Sequence, residues 1–160
     1  MEIAVILDNI RSIHNVGSIF RTSDAAGVKY IYLTGITPQP IDRFGHPEKN
    51  FTKVSLGAEN SVSWEYVKSI ATLINRLKKK GFHIVAVEQS EKALDYRKFK
   101  KEVAMKNGIK KIALIVGNEV EGVKKPILDK SDTILEIPMA GKKESLNVAV
   151  AFGVVVFQLI

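Results

Sequence analysis

Residues Ile112–Val116 read IALIV, five apolar residues in unbroken succession. A strand with one wet face alternates apolar and polar positions. A strand apolar at every position has both faces covered, which is the pattern of a parallel sheet sandwiched by helices. The rest of the chain fits that frame. Short strands are expected at Glu2–Leu7, Val28–Thr34, Phe82–Val87 and Thr133–Ile137, with a further short one at Val54–Leu56. Helical spacing predicts helices over Asn15–Ala26, stopped by Gly27, and over Trp64–Lys80, stopped by Gly81. A short helix is expected at Val123–Asp129, interrupted early by Pro126, and an apolar one at Ser145–Ile160. Tyr96–Met105 gives no clear pattern. Strands alternating with helices imply an α/β fold with a mostly parallel sheet flanked by helices.

Length and composition narrow the function. A chain of 160 residues suits one domain, so a single unit over residues 1–160 is expected. There is no cysteine, and the three histidines (His14, His46, His83) are scattered, so no metal site is expected, although carboxylates alone could hold magnesium. No segment reads as a signal peptide or a membrane span, which points to a soluble, cytoplasmic protein. The net charge of +7 suits a polyanionic partner, although solvated surface lysines produce the same balance.

Ligands of open α/β sheets sit beyond the carboxyl ends of the strands. Three segments there are hard to explain by packing alone. In Asn15–Arg21, Asn15 either caps a helix or faces a pocket, and Gly17 permits close approach. Arg21 follows Asn15 by about one and two-thirds helical turns, so the two diverge by about 120° while still able to flank one pocket. In Gly117–Gly122, glycines at a strand end expose backbone groups, and Glu119 can accept hydrogen bonds, although an ordinary strand-to-helix turn would look similar. The segment is neither a P-loop nor a dinucleotide fingerprint. In Ile137–Asn147 a Pro/Gly loop leads into a helix headed by Asn147, a polar residue before an apolar stretch. Ser145 is either a cap or a site residue, and Lys142 and Lys143 either phosphate contacts or solvated lysines. Gly35–Asn50 carries three prolines and two glycines and reads as a long functional or mobile loop.

These three segments together resemble the SpoU/TrmH RNA ribose methyltransferases of the SPOUT superfamily. N-x-G-x-x-x-R is matched by Asn15, Gly17 and Arg21. G-x-E-x-x-G is matched by Gly117, Glu119 and Gly122. I-P-M-x-G-x-x-x-S-L-N-V is matched by Ile137, Pro138, Met139, Gly141, Ser145, Leu146, Asn147 and Val148. The resemblance covers nearly the whole chain, in family order.

The resemblance implies a C-terminal trefoil knot formed around the second and third segments, and a homodimer with its site at or near the interface. Periodicity could not show the knot, since chains are ordinarily unknotted. It implies S-adenosylmethionine as methyl donor, gripped by backbone groups around Glu88, Gly117, Ile137, Met139, Ser145 and Leu146. It implies a ribose 2′-OH of tRNA or rRNA as acceptor, with Arg21, Asn15, Glu119, Ser145 and Asn147 as the catalytic set. A guanidinium is charged at neutral pH, so Arg21 is read as stabilising alkoxide character or orienting a phosphate, with the proton leaving to phosphate or water. RNA contacts are expected from Arg11, Arg43, Lys142 and Lys143, with Arg21 also facing phosphate; for His14 a structural hydrogen bond is the expected role. The nearly all-apolar last helix (Leu146, Val148, Val150, Phe152, Val154, Val155, Val156, Phe157, Leu159) agrees independently with dimerisation. Rival readings are a base methyltransferase of the same superfamily, a non-catalytic RNA-binding factor, and a doubly wound nucleotide enzyme, which would lack its glycine fingerprint here.

Overall fold

The computed structural model describes all 160 residues. Seven strands form one sheet: β1 (Glu2–Asp8), β2 (Tyr30–Thr34), β3 (Ser63–Val67), β4 (His83–Val87), β5 (Leu94–Asp95), β6 (Lys111–Val116) and β7 (Thr133–Glu136). Every neighbouring pair is parallel, in the order β3-β2-β1-β6-β4-β7-β5. The parallel α/β expectation therefore holds. β6, the IALIV segment, lies at the centre between β1 and β4.

Side-chain alternation on the central strands builds two cores. Ile3, Val5 and Leu7 of β1 join Ile112, Leu114 and Val116 of β6 on one face. There they meet α1 (Ile13–Ala25) and α7 (Val148–Gln158) through Val16, Ile19, Phe20, Phe152, Val155 and Val156. Ala4, Ile6, Ala113 and Ile115 turn to the opposite face, against Leu73, Ile74 and Leu77 of α4 (Ile70–Lys79). Covering on both sides is why these strands are apolar from Ile3 to Leu7 and from Ile112 to Val116.

Local expectations are corrected at several points, and the choice left open at Asn15 is decided. Val54–Leu56 is not a strand. Val54 and Ser55 end α2 (Lys49–Ser55), whose Phe51 meets Phe20 edge-on at 5.1 Å, and Leu56 closes the helix at φ 52°. The helix expected from Trp64 begins only at Ile70, because Ser63–Val67 is edge strand β3, paired along β2. Its aromatic and β-branched residues suit a strand, and Ser69 caps α4 by accepting from Thr72 N at 3.3 Å. Ser12, not Asn15, caps α1, accepting from Asn15 N at 3.3 Å. Pro126 does not interrupt α6 (Lys125–Leu128). It stands in the first turn, where a missing N–H leaves no bond unmade.

Two short helices complete the element order: α3 (Ala58–Ser61) and α5 (Lys101–Lys106), the latter following a 3₁₀ turn at Tyr96–Lys98. The final helix starts at Val148 rather than Ser145. Asn147 caps it, its Oδ1 accepting from Ala149 N at 2.9 Å and Val150 N at 3.4 Å. α7 is rich in valine, a modest helix former. Its helicity follows from tertiary burial of Phe152, Val155, Val156 and Leu159.

Candidate functional site

The carboxyl ends of β4, β6 and β7 open into a cleft of about 360 Å³. Its wall is supplied by Val87–Gln89, Val116–Gly122, Glu136–Ile137, Met139 and Glu144–Val148. All six residues expected to hold the methyl donor line it: Glu88, Gly117, Ile137, Met139, Ser145 and Leu146.

The loop after β6 is held in a tight fold. Gly122 N donates to Asn118 O at 2.9 Å, bringing the two ends of the loop together. Gly117 lies against the Gly122 backbone so closely that a Cβ at position 117 would stand 2.5 Å from the Gly122 carbonyl carbon. Gly122 itself adopts φ +65°, the left-handed region, and a Cβ there would overlap Oε2 of Glu88. The Glu88 carboxylate braces the same turn. Its Oε2 accepts from Val123 N at 2.7 Å and its Oε1 from Gln89 N at 2.9 Å.

Asn118 is a residue that sequence reasoning passed over. Its Oδ1 accepts from Val120 N (2.9 Å) and Glu121 N (3.0 Å), while its Nδ2 donates to Asn9 O at 2.8 Å. An Asn beside Gly in a strand-end loop was the available signal, because Asn side chains fold back on their own backbone in such turns.

Three segments far apart in sequence meet at the cleft rim in one relay. The Glu119 carboxylate accepts from Arg11 N at 2.9 Å, Ser12 N at 3.0 Å and Asn15 Nδ2 at 3.0 Å. Asn15 Oδ1 accepts from Asn147 Nδ2 at 3.0 Å. The orientation of both amides is fixed by their ends: a carboxylate only accepts and the α7 backbone N–H groups only donate, so each Asn must point as drawn. The relay thus runs from the start of α7 through Asn147 and Asn15 to Glu119 at the start of α1. A carboxylate at that position also complements the positive end of the helix.

Glu119 shows the electrostatic consequence. Partial burial would raise its pKa, but the N–H donors of Arg11 and Ser12 and the Asn15 amide outweigh it and hold it below the ordinary carboxylate value. A depressed folded-state pKa gives stability that is present above the unfolded value and lost as pH falls through the folded one. Glu119→Gln turns an NH₂ against one set of N–H donors. On this exposed rim we expect a loss of about 1 kcal/mol at pH 7. Urea melts of both proteins should show that gap at pH 7 and see it close below the ordinary carboxylate range. A gap that is unchanged by acid would remove the electrostatic account.

The remaining expected residues are placed less centrally. Ser145 lines the cleft outside the relay. Arg11 contributes its backbone N–H to Glu119, with its side chain exposed. Lys142 and Lys143 are exposed on the loop between β7 and α7. His14 and Arg21 are exposed on α1, and neither lines the cleft. Arg43 lies at the tip of the loop between β2 and α2.

A parallel sheet whose carboxyl-end cleft is walled by backbone-rich loops, with an amide–carboxylate relay at its rim, defines an α/β protein with a ligand-sized cleft at its strand ends. Comparison with known proteins places it further. Residues 2–157 match the SpoU rRNA Methylase family, and the chain belongs to that family. It is 31% identical over 161 aligned residues to the tRNA (guanosine(18)-2′-O)-methyltransferase of Aquifex aeolicus, covering 98% of this chain and 68% of that protein. The crystal structure of the A. aeolicus TrmH/SpoU tRNA modifying enzyme superposes with a TM-score of 0.81 at 30% identity, over 98% of this chain and 73% of that one. The AdoMet-bound rRNA methyltransferase of Sinorhizobium meliloti superposes with a TM-score of 0.85 at 28% identity, over 98% of this chain and 55% of that one. The chain thus spans little more than half the length of the Sinorhizobium protein.

Proposed function

We propose that this chain transfers the methyl group of S-adenosylmethionine to a ribose 2′-hydroxyl of tRNA or rRNA. The observation that carries this reading is the relay of Asn147, Asn15 and Glu119 at the rim of the cleft, one residue from each of the three family segments. S-adenosylmethionine suits the cleft: Gly117, Ile137, Met139 and Leu146 offer backbone groups and apolar surface, with Glu88 and Ser145 beside them. The donor brings an already electrophilic methyl on a cationic sulfonium. The protein's part is to hold the two reactants in line and to stabilise the oxygen as it loses its proton. In this reading Asn15, Glu119, Ser145 and Asn147 position the ribose, and Arg21 supplies positive charge. Arg11, Arg43, Lys142 and Lys143 meet RNA phosphates.

Residues 1–160 act as one methyl-transfer domain in this proposal. The chain functions as a homodimer. Supporting this, Val150, Val154 and Phe157 fall at i, i+4 and i+7 on one side of α7, and Val150 and Phe157 are 53% and 52% exposed. A second copy would cover that stripe, and in this proposal its Arg21 serves the cleft of the first. The C-terminal segment forms a trefoil knot around the loops that follow β6 and β7. Supporting the knot, β6 lies between two strands that precede it in sequence, and α7 returns from β7 to pack on α1 and β4. No helix is long and apolar enough to cross a membrane, and we place the protein in the cytoplasm with its RNA.

The test uses methyl-labelled S-adenosylmethionine with separate pools of unmodified tRNA and rRNA, followed by digestion to nucleosides. We expect a labelled 2′-O-methylnucleoside. Label on a base would replace ribose chemistry with base methylation, and absence of both label and donor binding would remove the enzymatic reading.

A further inference from the structure

The long loop between β2 and α2 is not loose. Residues 40–48 form a small antiparallel hairpin, bridged at Ile41 and Pro47 and closed by Glu48 N donating to Pro40 O at 2.8 Å. Asp42 ties its tip. Asp42 N donates to His46 O at 2.8 Å, Gly45 N donates to Asp42 O at 3.0 Å, and the Asp42 carboxylate accepts from Phe44 N at 2.8 Å and His46 N at 2.9 Å. This stiff frame displays a large apolar ring to solvent. Phe44 is 69% exposed, and the Arg43 guanidinium carbon stands 4.7 Å from its ring centroid.

A scattered exposed aromatic needs no explanation by itself. Here, however, a backbone tied by four hydrogen bonds holds a ring outward with a cation beside it. The hairpin also leaves the carboxyl end of the sheet, the end that carries the cleft, and α2, which follows it, packs on α1 through Phe51 and Phe20. α1 carries Asn15 and Arg21.

We propose that Phe44, backed by Arg43, is a stacking platform for an unpaired nucleobase near the methylated nucleotide. The inference rests on the RNA methyltransferase reading and deepens it: the substrate is single-stranded or looped at the target, not a continuous duplex. Every base has a π face, but inside a duplex both faces are occupied by neighbouring bases, so away from a helix end only an unpaired base can lie on the ring. The guanidinium beside Phe44 reinforces the stack and meets the adjacent phosphate. Fixing the loop beforehand lowers the entropy lost on binding.

The probes are a short RNA stem–loop with an unpaired loop and a fully paired RNA duplex of equal length. In Phe44→Trp, the stem–loop is expected to quench fluorescence beyond the wild-type background from Trp64, and the duplex is not. Phe44→Ala is expected to bind the stem–loop between about fivefold and a hundredfold more weakly, the range for losing one base–aromatic stack, and Phe44→Tyr to restore it. S-adenosylmethionine binding by the same variants, measured by calorimetry, is expected at wild-type affinity and controls for folding. Wild-type stem–loop affinity in Phe44→Ala, or equal quenching by duplex, overturns the platform. These readouts need no turnover, so they stand apart from the methyl-transfer assay. If wild type neither transfers label nor binds the donor while Phe44→Trp is quenched by the stem–loop, the enzymatic reading fails and the platform survives.

Discussion

Gly122→Ala is expected to abolish binding of S-adenosylmethionine while leaving the protein folded. At φ +65° an alanine is strained by about 1–2 kcal/mol. Its Cβ would also overlap Oε2 of Glu88. The carboxylate would have to leave Val123 N, now 2.7 Å away, and an N–H at a buried residue would lose its partner at a further cost of about 1–3 kcal/mol. The Gly117–Gly122 turn that this carboxylate braces is therefore expected to rearrange. Rearrangement of that turn deforms the wall of the cleft, while Val123 stays anchored in the core beneath it. Gly141→Ala is the matched control. It lies in the third family segment, yet a Cβ there meets nothing within 4 Å. Calorimetric titration with the donor, alongside thermal melts, separates them: Gly141→Ala should bind within a few-fold of wild type and Gly122→Ala should not bind measurably. Equal binding by both variants would mean that the turn at Gly122 does not form the donor's cleft.

These two glycines show what a sequence can and cannot tell. Both stand in family segments and look alike as letters. Only the surroundings of each distinguish a residue that nothing else can replace from one in open space. The parallel sheet was readable in advance because burial on both faces leaves a local trace, the unbroken apolar runs at Ile112–Val116 and Ile3–Leu7. β3 left a misleading one. It is an edge strand, Ser63–Val67, whose half-buried side chains ran on into the amphipathic pattern of α4, and pairing with β2 decided the matter at a distance. Val54–Leu56 failed for the same reason, since its two valine and leucine side chains look strand-like until Phe51 is seen docked on Phe20. The site divides similarly. Asn15, Glu119 and Asn147 could be named as candidates from the motifs, but their hydrogen bonds to one another span more than a hundred residues of chain and left no trace in local pattern. Asn15 was expected either to cap α1 or to face a pocket; Ser12 takes the cap, which releases the Asn15 amide for the relay.

Arg21→Ala is expected to cost on the order of a hundredfold to a thousandfold in methyl transfer, the scale of losing one group that stabilises a developing oxyanion. Donor binding should be unchanged, because Arg21 does not line the cleft. Arg21→Lys should recover little, since an ammonium lacks the planar fork that engages two oxygens at once. The position of Arg21 makes a sharper demand. It lies on α1 about 9 Å along the axis from Asn15 and faces a different direction, on the exposed surface of the helix that packs against α7. With the exposed stripe of α7 covered by a second copy, Arg21 of one subunit would serve the cleft of the other. Co-expressing Arg21→Ala with Gly122→Ala chains, each inactive alone, should then restore activity. In the mixed dimer one cleft carries both defects, while the other pairs an intact cleft with an intact arginine. Purified mixed dimers that remain inactive would place Arg21 in its own subunit's site, and near-normal activity of Arg21→Lys would remove the need for the guanidinium fork altogether.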